Sequence, residues 1–254
     1  MSNRFGLLGE KLSHSISPQI HQEILKYINR KGSYKLIETS KEKINSYISE
    51  YDGLNVTIPY KVEVIKHLES ISDVAKKIGA VNTIYNGVGY NTDYFGFGKM
   101  INIKNIDVRD KIVYILGTGG ASKAVYQYLI DNNAKQIKFV SRLKKGKDII
   151  SYNELNSVVG DIIINTTPIG MYPKIEVSPI NMNIFKNFKI AIDLIYNPLE
   201  TKFLLDAKKL GLLTVNGLYM LIGQAIKAEE IWNKCEIDEI LIDKIYNEMK
   251  RSEI

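Results

Sequence analysis

The segment that most constrains the fold is residues 111–125, KIVYILGTGGASKAV. A run of apolar residues, 112–116, leads directly into a cluster of glycines, and helix-compatible residues begin again at Ala121. This order predicts a buried strand, a tight turn and a helix N-terminus. Glycine accepts positive φ values and lets a ligand approach the backbone, and the unpaired N–H groups of a helix N-terminus bind phosphate. The segment favours a phosphate-binding turn over a purely structural one, although Ser122 stands where the dinucleotide-binding pattern requires glycine or alanine.

The composition excludes several other classes of protein. The apolar content of 45% and the charged content of 24% are ordinary for a globular chain. The formal charge is +6, but the lysines are scattered, so we expect no nucleic-acid partner. Cys235 is the single cysteine and the three histidines are not spaced as ligands, so no metal site is predicted. Because the apolar runs are too short for a bilayer and the N-terminus lacks a signal peptide, we predict a cytoplasmic protein without a membrane partner.

The order of the predicted elements indicates two α/β domains. Residues 1–101 combine strands and helices with a hairpin at 80–90, which predicts a mixed sheet. From residue 111 onward short apolar strands recur between helix- or loop-length segments, and this predicts a Rossmann-like, doubly wound parallel sheet. These strands are 112–116, 137–140, 161–165, 190–193 and 213–215. Two apolar-striped helices close the chain, so we predict one domain of residues 1–101 plus 223–254 and a second of residues 102–222.

The end of the strand after the glycine turn indicates which dinucleotide would bind. NAD-binding domains commonly place an acid there, about 20 residues after the turn, to bond the ribose 2′-hydroxyl. Here the strand ends in Ser141, Arg142, Leu143, Lys144 and Lys145, without an acid. Cationic side chains favour an additional 2′-phosphate. We therefore predict NADP in preference to NAD, with an ordinary basic turn as the alternative.

Polar residues collect at three predicted strand ends of the first domain. Asn55, Thr57 and Lys61 surround the end of one strand, Asn82 lies late in the next, and Asp93 follows the hairpin. Ligands of α/β sheets bind at the carboxyl ends of strands, so these side chains could converge on one polyhydroxylated molecule. The alternatives are turn formation by each asparagine and a solvated surface position for Lys61.

The segment SHSISP, residues 13–18, places hydroxyl groups ahead of a predicted helix. Ser17 is the expected N-cap of that helix. The same hydroxyl groups could hold a substrate carboxylate, helped by the helix dipole. His14 is a general base by residue type, but we assign it no mechanism because the sequence identifies no acidic partner for it.

Eight short segments follow one another in an order that resembles shikimate dehydrogenase. Together they extend over nearly the whole chain. The resemblance implies a reversible NADPH-dependent reduction of 3-dehydroshikimate to shikimate, in the biosynthesis of aromatic amino acids, by a monomer or homodimer. It also implies that residues 1–101 plus 223–254 bind the substrate and residues 102–222 bind NADP. A quinate/shikimate dehydrogenase using either cofactor and a catalytically silent metabolite sensor are the alternatives. The segments are SHSISPQIH (13–21), NVTIPYK (55–61), GAVNT (79–83), NTDYFG (91–96), GTGGAS (117–122), NTTPIGM (165–171), DLIYNPLET (193–201) and GLYMLIGQA (217–225).

The resemblance further implies roles for individual residues, none of them as a metal ligand. Lys61 and Asp93 match the catalytic pair of the family, in which the lysine would supply a positive charge and a proton to the developing alkoxide. The predicted substrate contacts are Ser15, Ser17, Thr57, Asn82, Tyr196 and Gln224. The predicted cofactor contacts are Gly117, Thr118, Gly119, Gly120, Ala121, Ser141, Arg142, Lys145, Thr166, Gly217 and Met220.

One departure from the family pattern concerns the cofactor. The usual Asn-Arg-Thr is Ser-Arg-Leu at 141–143, and lysines at 144 and 145 stand where a second arginine is common. A lysine is a point charge without the bidentate fork of arginine. We therefore predict a preference for NADP that is real but looser than in a typical member of the family.

Overall fold

The structure, a computed structural model, describes residues 3–12, 15–143 and 146–251. The described chain divides into two compact units. Unit 1 comprises the described residues up to Gly96 together with Ile222–Arg251, and unit 2 is Phe97–Leu221. The two divisions fall inside the helices Asp93–Ile103 and Leu218–Asn233. The chain therefore passes between the units within a helix at both crossings.

A mixed sheet forms the centre of unit 1. Its described strands are β1 (Asn3–Gly9), β2 (Gly32–Glu38), β3 (Gly53–Val56), β4 (Ser70–Ile71), β5 (Thr83–Tyr85) and β6 (Val88–Tyr90). They lie in the order β2-β1-β3-β5-β6-β4. β1 pairs in parallel with β2 and β3, whereas β5 is antiparallel to both β3 and β6. The predicted mixed sheet and its hairpin are confirmed.

A parallel sheet forms the centre of unit 2. Its described strands are β7 (Ile112–Leu116), β8 (Gln136–Val140), β9 (Ile149–Ile150), β10 (Ile162–Asn165), β11 (Ile190–Asp193) and β12 (Leu213–Val215). They lie in the order β12-β11-β10-β7-β8-β9, and all recorded pairings are parallel. The strand order reverses between β7 and β10, and ligands of such sheets bind at this point. The predicted Rossmann-like sheet is confirmed.

Eight described helices accompany the two sheets. They are α1 (Ser17–Tyr27), α2 (Ile44–Glu50), α3 (Asp73–Ile78), α4 (Asp93–Ile103), α5 (Gly120–Asp131), α6 (Lys202–Lys209), α7 (Leu218–Asn233) and α8 (Ile240–Arg251). α1 has Pro18 in its first turn and buries Ile20, Ile24 and Leu25 on one face, as the spacing predicts. None of the helices within the described ranges is long and apolar enough to cross a membrane.

The two terminal helices complete unit 1. Trp232 of α7 stacks on Phe5 of β1 with ring centroids 4.6 Å apart, and its Nε1 donates to the carbonyl oxygen of Ile84 at 3.0 Å. α8 buries Leu241 and Ile245 and contacts α1. Unit 1 is therefore discontinuous in sequence.

The residue pattern also predicts helices at 41–50 and 60–69, and the second of these predictions is wrong. The helix expected at residues 60–69 is only a short 3₁₀ segment, Glu63–His67, because Ser70 and Ile71 enter the sheet as β4 beside β6. The helix predicted at 41–50 is confirmed, with a 3₁₀ turn at Lys41–Lys43 that leads into α2 at Ile44.

Candidate active site

Lys61 and Asp93, the predicted catalytic pair, form an ion pair in unit 1. Lys61 Nζ lies 2.5 Å from Asp93 Oδ2. Lys61 follows β3, and Asp93 is the first residue of α4. The two side chains are 13% and 9% exposed, so they are largely withdrawn from bulk water. An ammonium group in this setting can stabilise a developing oxyanion and deliver a proton to it.

Asn82 orients the Asp93 carboxylate through the second oxygen. Its Nδ2 donates to Asp93 Oδ1 at 2.9 Å and to Thr92 Oγ1 at 3.0 Å, while its Oδ1 accepts the N–H of Thr92 at 2.6 Å. Asn82 and Thr92 are both buried. Because Lys61 and Asn82 take one carboxylate oxygen each, the plane of the carboxylate is fixed. A substrate hydroxyl that contacts Asn82 would have to share one of these bonds.

Two further asparagines, Asn55 and Asn91, make contacts within the protein. Asn91 Oδ1 accepts the N–H of Tyr94 at 3.3 Å, a local turn contact, and its Nδ2 donates to the carbonyl oxygen of Ala80 at 2.9 Å. Asn55 donates from Nδ2 to Thr83 Oγ1 at 3.0 Å, and its Oδ1 accepts the Tyr34 hydroxyl at 2.8 Å. The contacts of Asn55 and the Asn91–Ala80 contact join residues from different elements, so a local turn does not explain them.

The two predicted carboxylate-binding serines lie at the start of α1. Ser15 Oγ donates to Ser17 Oγ at 3.1 Å, and the N–H of Ser17 donates to Ser15 Oγ at 3.3 Å. The prediction of Ser17 as the N-cap is wrong: Ile16 occupies that position, and no described side chain caps the helix. Ser17 is instead the first residue of α1, and its hydroxyl accepts from Ser15 Oγ. His14 lies outside the described residues.

The remaining predicted substrate contacts lie in both units. Thr57 is half-buried, and its backbone is fixed by N–H donation to Leu8 O at 2.9 Å. Gln224 is half-buried on α7 within unit 1. Tyr196 belongs to unit 2, where burial raises the pKa of its hydroxyl above the ordinary value. This phenol therefore stays a hydrogen-bond donor at neutral pH.

The glycine turn after β7 fits a dinucleotide pyrophosphate. Gly117 has a φ of +99°, and a Cβ there would lie 3.1 Å from Thr166 Oγ1. Gly119 is the N-cap of α5, where no described side chain bonds to the first-turn N–H groups. No described atom lies within 4 Å of the position that a Cβ of Gly119 would take. The turn thus combines open space with backbone N–H groups available to an anion.

Three further predicted cofactor residues surround this turn. Thr118 is exposed in it, and Gly120 and Ala121 are the first two residues of α5. Thr166 follows β10 and donates from Oγ1 to the carbonyl oxygen of Leu116 at 2.6 Å. This bond ties the end of β10 to the end of β7, where the strand order reverses.

The end of β8 keeps the basic character seen in the sequence. Ser141 Oγ accepts the N–H of the residue two positions later at 3.3 Å, and Arg142 is exposed. The following acid, Asp148, pairs with Lys138 at 2.8 Å. Lys145 lies outside the described residues. The part of the turn that the structure describes therefore remains suited to a phosphate group.

The structure requires glycine at position 217 for a reason that does not depend on a cofactor. A Cβ at this position would lie 2.0 Å from the carbonyl oxygen of Leu194, and the N–H of Gly217 donates to Ile195 O at 3.0 Å. Met220 is buried on α7 three residues later. The close backbone approach alone requires glycine at 217.

The sequence did not predict a buried cluster in unit 1 that consists of His21, Tyr34 and Glu229. His21 Nδ1 lies 2.6 Å from Glu229 Oε1, and both side chains are fully buried. The Tyr34 ring stacks on His21 with centroids 3.9 Å apart. Burial, reinforced by the charge of Glu229, raises the pKa of Tyr34 well above the ordinary value. The available signal was an acid, Glu229, among the apolar residues of the predicted α7.

Asp193 is a second buried acid to which we assigned no role. Its carboxylate accepts bonds from Thr201 Oγ1 at 2.6 Å, from Asn165 Nδ2 at 3.1 Å and from the N–H of Ile195 at 3.0 Å. Burial outweighs these bonds and raises the pKa of Asp193 to about 6. Over residues 3–12, 15–143 and 146–251, no group of three or more His, Cys, Asp or Glu side chains is arranged to hold a metal ion.

Comparison with known proteins places this geometry in a family context. Residues 7–84 match the model of the shikimate dehydrogenase substrate binding domain. A protein of Clostridium beijerinckii named shikimate dehydrogenase (NADP(+)) is 48% identical, with 96% of each chain covered. The crystal structure of shikimate dehydrogenase 1 from Peptoclostridium difficile is 49% identical and superposes with a TM-score of 0.93 over 99% of each chain. Shikimate 5-dehydrogenase from Thermus thermophilus, in complex with NADP(H) and shikimate, is 29% identical with a TM-score of 0.85, over 96% of this chain and 98% of that one.

Proposed function

The chain belongs to the shikimate dehydrogenase family of NADP-dependent oxidoreductases, and on this premise we propose that it catalyses the reversible reduction of 3-dehydroshikimate to shikimate with NADPH. The observation that carries the proposal is the partly buried Lys61–Asp93 pair, 2.5 Å apart. Reduction of a ketone leaves negative charge on the carbonyl oxygen, and this charge requires a positive group and a proton donor. Lys61 is suited to both tasks.

In this mechanism the proton moves through Lys61 Nζ. In the direction of reduction, Nζ bonds to the substrate carbonyl oxygen and delivers a proton as the oxygen becomes an alkoxide. In the direction of oxidation, the neutral amine accepts the proton of the substrate hydroxyl. Asp93 orients Nζ through Oδ2, and Asn82 orients Asp93 through Oδ1. Low exposure of the pair limits screening by water, so the charge of Lys61 acts strongly at short range.

The substrate carboxylate is assigned to Ser15 and Ser17, with Tyr196 as a further donor. The two serines stand at the N-terminus of α1, where the helix dipole favours an anion. Thr57, Asn82 and Gln224 are assigned to the ring hydroxyl groups. Support for these roles comes from positions at strand or helix ends for Ser15, Ser17, Thr57, Asn82 and Tyr196, whereas Gln224 lies within α7.

NADPH, when bound, supplies the hydride. The chain's residues hold the cofactor in this proposal: the N–H groups of the glycine turn hold the pyrophosphate, and the basic turn after β8 holds the 2′-phosphate. The open space at Gly119 and the exposed Arg142 support this assignment. The assigned residues are Gly117, Thr118, Gly119, Gly120, Ala121, Thr166, Ser141, Arg142 and Lys145, with Gly217 and Met220 near the nicotinamide.

A spectrophotometric assay tests the proposed reaction. The purified protein, NADP and shikimate are mixed, and absorbance is followed at the NADPH band, where we expect a rise. The assay is repeated with quinate and with NAD. Comparable rates with quinate and NAD would support the quinate/shikimate alternative. No change with any pair would support the metabolite sensor and refute the proposal.

Lys61→Ala tests the assigned proton donor. We expect kcat to fall by roughly 10²–10⁴-fold, with little change in the KM for shikimate, because general acid–base catalysis contributes this much. Lys66→Ala is the matched control, since Lys66 lies in the same segment but pairs with Glu63. A large increase in KM at unchanged kcat would make Lys61 a binding residue instead.

Two further properties complete the proposal. A cytoplasmic location is supported by the use of NADPH and by the single cysteine, which suits a reducing compartment. The predicted oligomeric state is a monomer or a homodimer, and light scattering after gel filtration distinguishes these by mass.

A further inference from the structure

The last residues of two neighbouring strands in unit 2 are joined through their side chains. Asn165 ends β10 and Asp193 ends β11, and the parallel register places the two opposite each other. Asn165 Nδ2 donates to Asp193 Oδ1 at 3.1 Å, and both residues are fully buried. The pair therefore lies at the carboxyl ends of the strands, where ligands of parallel sheets bind.

Each member of the pair also fixes the start of the loop that follows its own strand. Asn165 Oδ1 accepts the N–H of Thr167 at 3.0 Å, and Asp193 Oδ1 accepts the N–H of Ile195 at 3.0 Å. In both loops the side chain bonds to the backbone two residues further on, which is an Asx turn. The loop after β11 carries Tyr196, the residue assigned above to the substrate.

The two carboxylate oxygens of Asp193 serve different parts of unit 2. Oδ1 accepts the bonds from Asn165 and Ile195, whereas Oδ2 accepts the hydroxyl of Thr201 at 2.6 Å. Thr201 is the N-cap of α6, and its Oγ1 accepts the N–H of Leu204 at 3.3 Å. The contacts of Oδ1 therefore shape the loop after β11, and the contact of Oδ2 holds the start of α6.

The position of Tyr196 depends on the backbone that Asp193 holds. Tyr196 is half-buried and follows Ile195 directly. Within the ranges that the structure describes, no residue forms a hydrogen bond with the Tyr196 hydroxyl. The Ile195 carbonyl oxygen accepts the N–H of Gly217 at 3.0 Å, so the same segment also supports the residue that precedes α7. The turn held by Asp193 consequently determines the direction in which the Tyr196 side chain leaves the backbone.

We propose that Asp193 is a positioning residue that orients Tyr196 for the substrate, an inference that rests on the proposed role of Tyr196 in binding the shikimate carboxylate. The bond from the Ile195 N–H to Asp193 Oδ1 sets the turn that precedes Tyr196. Asn165 holds the same oxygen from the neighbouring strand. A donor that is already in position binds its ligand without the cost of ordering its segment.

Asp193→Ala tests the inference because it removes both carboxylate oxygens. We expect the KM for shikimate to rise about 3- to 10-fold, the range for one side chain that must be ordered on binding. Asp193→Asn is the conservative variant and should stay within about 2-fold of wild type, since an amide oxygen can accept both bonds of Oδ1. The opposite orientation of this amide is disfavoured, because it would set the amide nitrogen against two donors, Asn165 Nδ2 and the N–H of Ile195.

Thr201→Ala is the matched control. It removes the bond at Oδ2 and the N-cap of α6, so it should lower the Tm, but it leaves both contacts of Oδ1 intact. We expect the KM of this variant for shikimate to stay within about 2-fold of wild type. Equal increases in KM in Asp193→Ala and Thr201→Ala would indicate a general loss of stability in unit 2 and overturn the inference.

A double-mutant cycle with Tyr196→Phe tests whether Asp193 acts through Tyr196. In the Tyr196→Phe background, Asp193→Ala should change the KM for shikimate by less than about 2-fold. The same increase in both backgrounds would overturn the inference. Asp193→Leu, which fills the space that alanine leaves empty, is the second variant if Asp193→Ala does not fold. The concentration of shikimate that gives half-maximal thermal stabilisation provides the same comparison for a variant of reduced stability.

The cycle also distinguishes the two proposals from each other. An unchanged KM in Tyr196→Phe alone would refute the carboxylate-binding role of Tyr196 and the inference with it, while the absorbance assay would still report on the proposed reaction. A raised KM in Tyr196→Phe with an unchanged KM in Asp193→Ala would refute the inference and leave the proposed function intact.

Discussion

Asp193 is a buried acid whose charge should lower the stability of the protein above mildly acidic pH. Burial raises its pKa from 3.8 to about 6, despite the bonds from Thr201, Ile195 and Asn165. The folded protein therefore holds this proton more tightly than the unfolded chain does. The stability contributed by the protonated carboxyl is fully present below 3.8 and is lost as the pH rises through about 6.

Asp193→Asn removes this titration and allows its size to be measured. The difference between 3.8 and about 6 corresponds to about 3 kcal/mol once the carboxyl is fully deprotonated, at about 1.4 kcal/mol for each tenfold change in proton affinity. Between about pH 4.5 and about pH 7.5, the free energy of unfolding of the variant should rise relative to wild type by about 2 kcal/mol. The pH-independent effect of replacing a carboxyl by an amide is the same at both pH values and cancels.

Urea unfolding followed by far-ultraviolet circular dichroism is the suitable assay. The single tryptophan, Trp232, lies in unit 1, whereas Asp193 lies in unit 2, so tryptophan fluorescence would report the wrong unit. Asp161→Asn is the matched control in unit 2. The N–H of Ile112, followed by Lys189, lowers the pKa of Asp161, so its contribution to stability is present above 3.8 and lost as the pH falls below that value.

The pKa of Asp193 is raised and the pKa of Asp161 is lowered, so the two variants should respond differently to pH. The stability difference between Asp193→Asn and wild type should grow with pH, whereas the difference for Asp161→Asn should not. A difference for Asp193→Asn that is equal at both pH values, or that shrinks as the pH rises, would refute the reasoning that burial dominates this carboxyl.

Two further predictions concern unit 2. Gly217→Ala should strongly reduce soluble yield and Tm, because the added Cβ would lie 2.0 Å from Leu194 O. Gly119→Ala should keep a near-normal Tm, because no described atom lies within 4 Å of its Cβ, but it should raise the KM for NADPH. The ratio of kcat/KM for NADPH to that for NADH should exceed one and should fall in Arg142→Ala by about tenfold, as expected for loss of a charge-assisted bond to phosphate. Equal wild-type values for the two cofactors would contradict the predicted preference.

Local patterns in the sequence predicted most of the elements. The strand β7, the turn at Gly117 and the helix α5 were predicted because an apolar run, a cluster of glycines and a helix-compatible stretch follow one another directly. β4 and β9 were not predicted, because strands of two residues show no alternation. The helix expected at 60–69 failed because pairing of β4 with β6 ends the helical segment early, and that pairing is not visible in local sequence.

The catalytic pair could be suspected from the sequence because both residues follow predicted strands. The geometry of the pair could not be predicted from the sequence. Asn82 holds one carboxylate oxygen of Asp93 while Lys61 takes the other, and this arrangement depends on how β3, β5 and β6 pair. The resemblance to the family implied the roles of these residues, and the sheet register brings Lys61, Asn82 and Asp93 into contact.

By itself, the sequence determined the two kinds of sheet, the glycine turn and the family to which the chain belongs. These properties depend on short-range order along the chain, such as apolar periodicity, glycine positions and motif order. Only the tertiary structure decided that Ile16, and not Ser17, is the N-cap of α1, and that His21 contacts Glu229 across 208 residues. Buried polar groups must find hydrogen-bond partners wherever packing places them, and packing joins residues that the sequence keeps far apart.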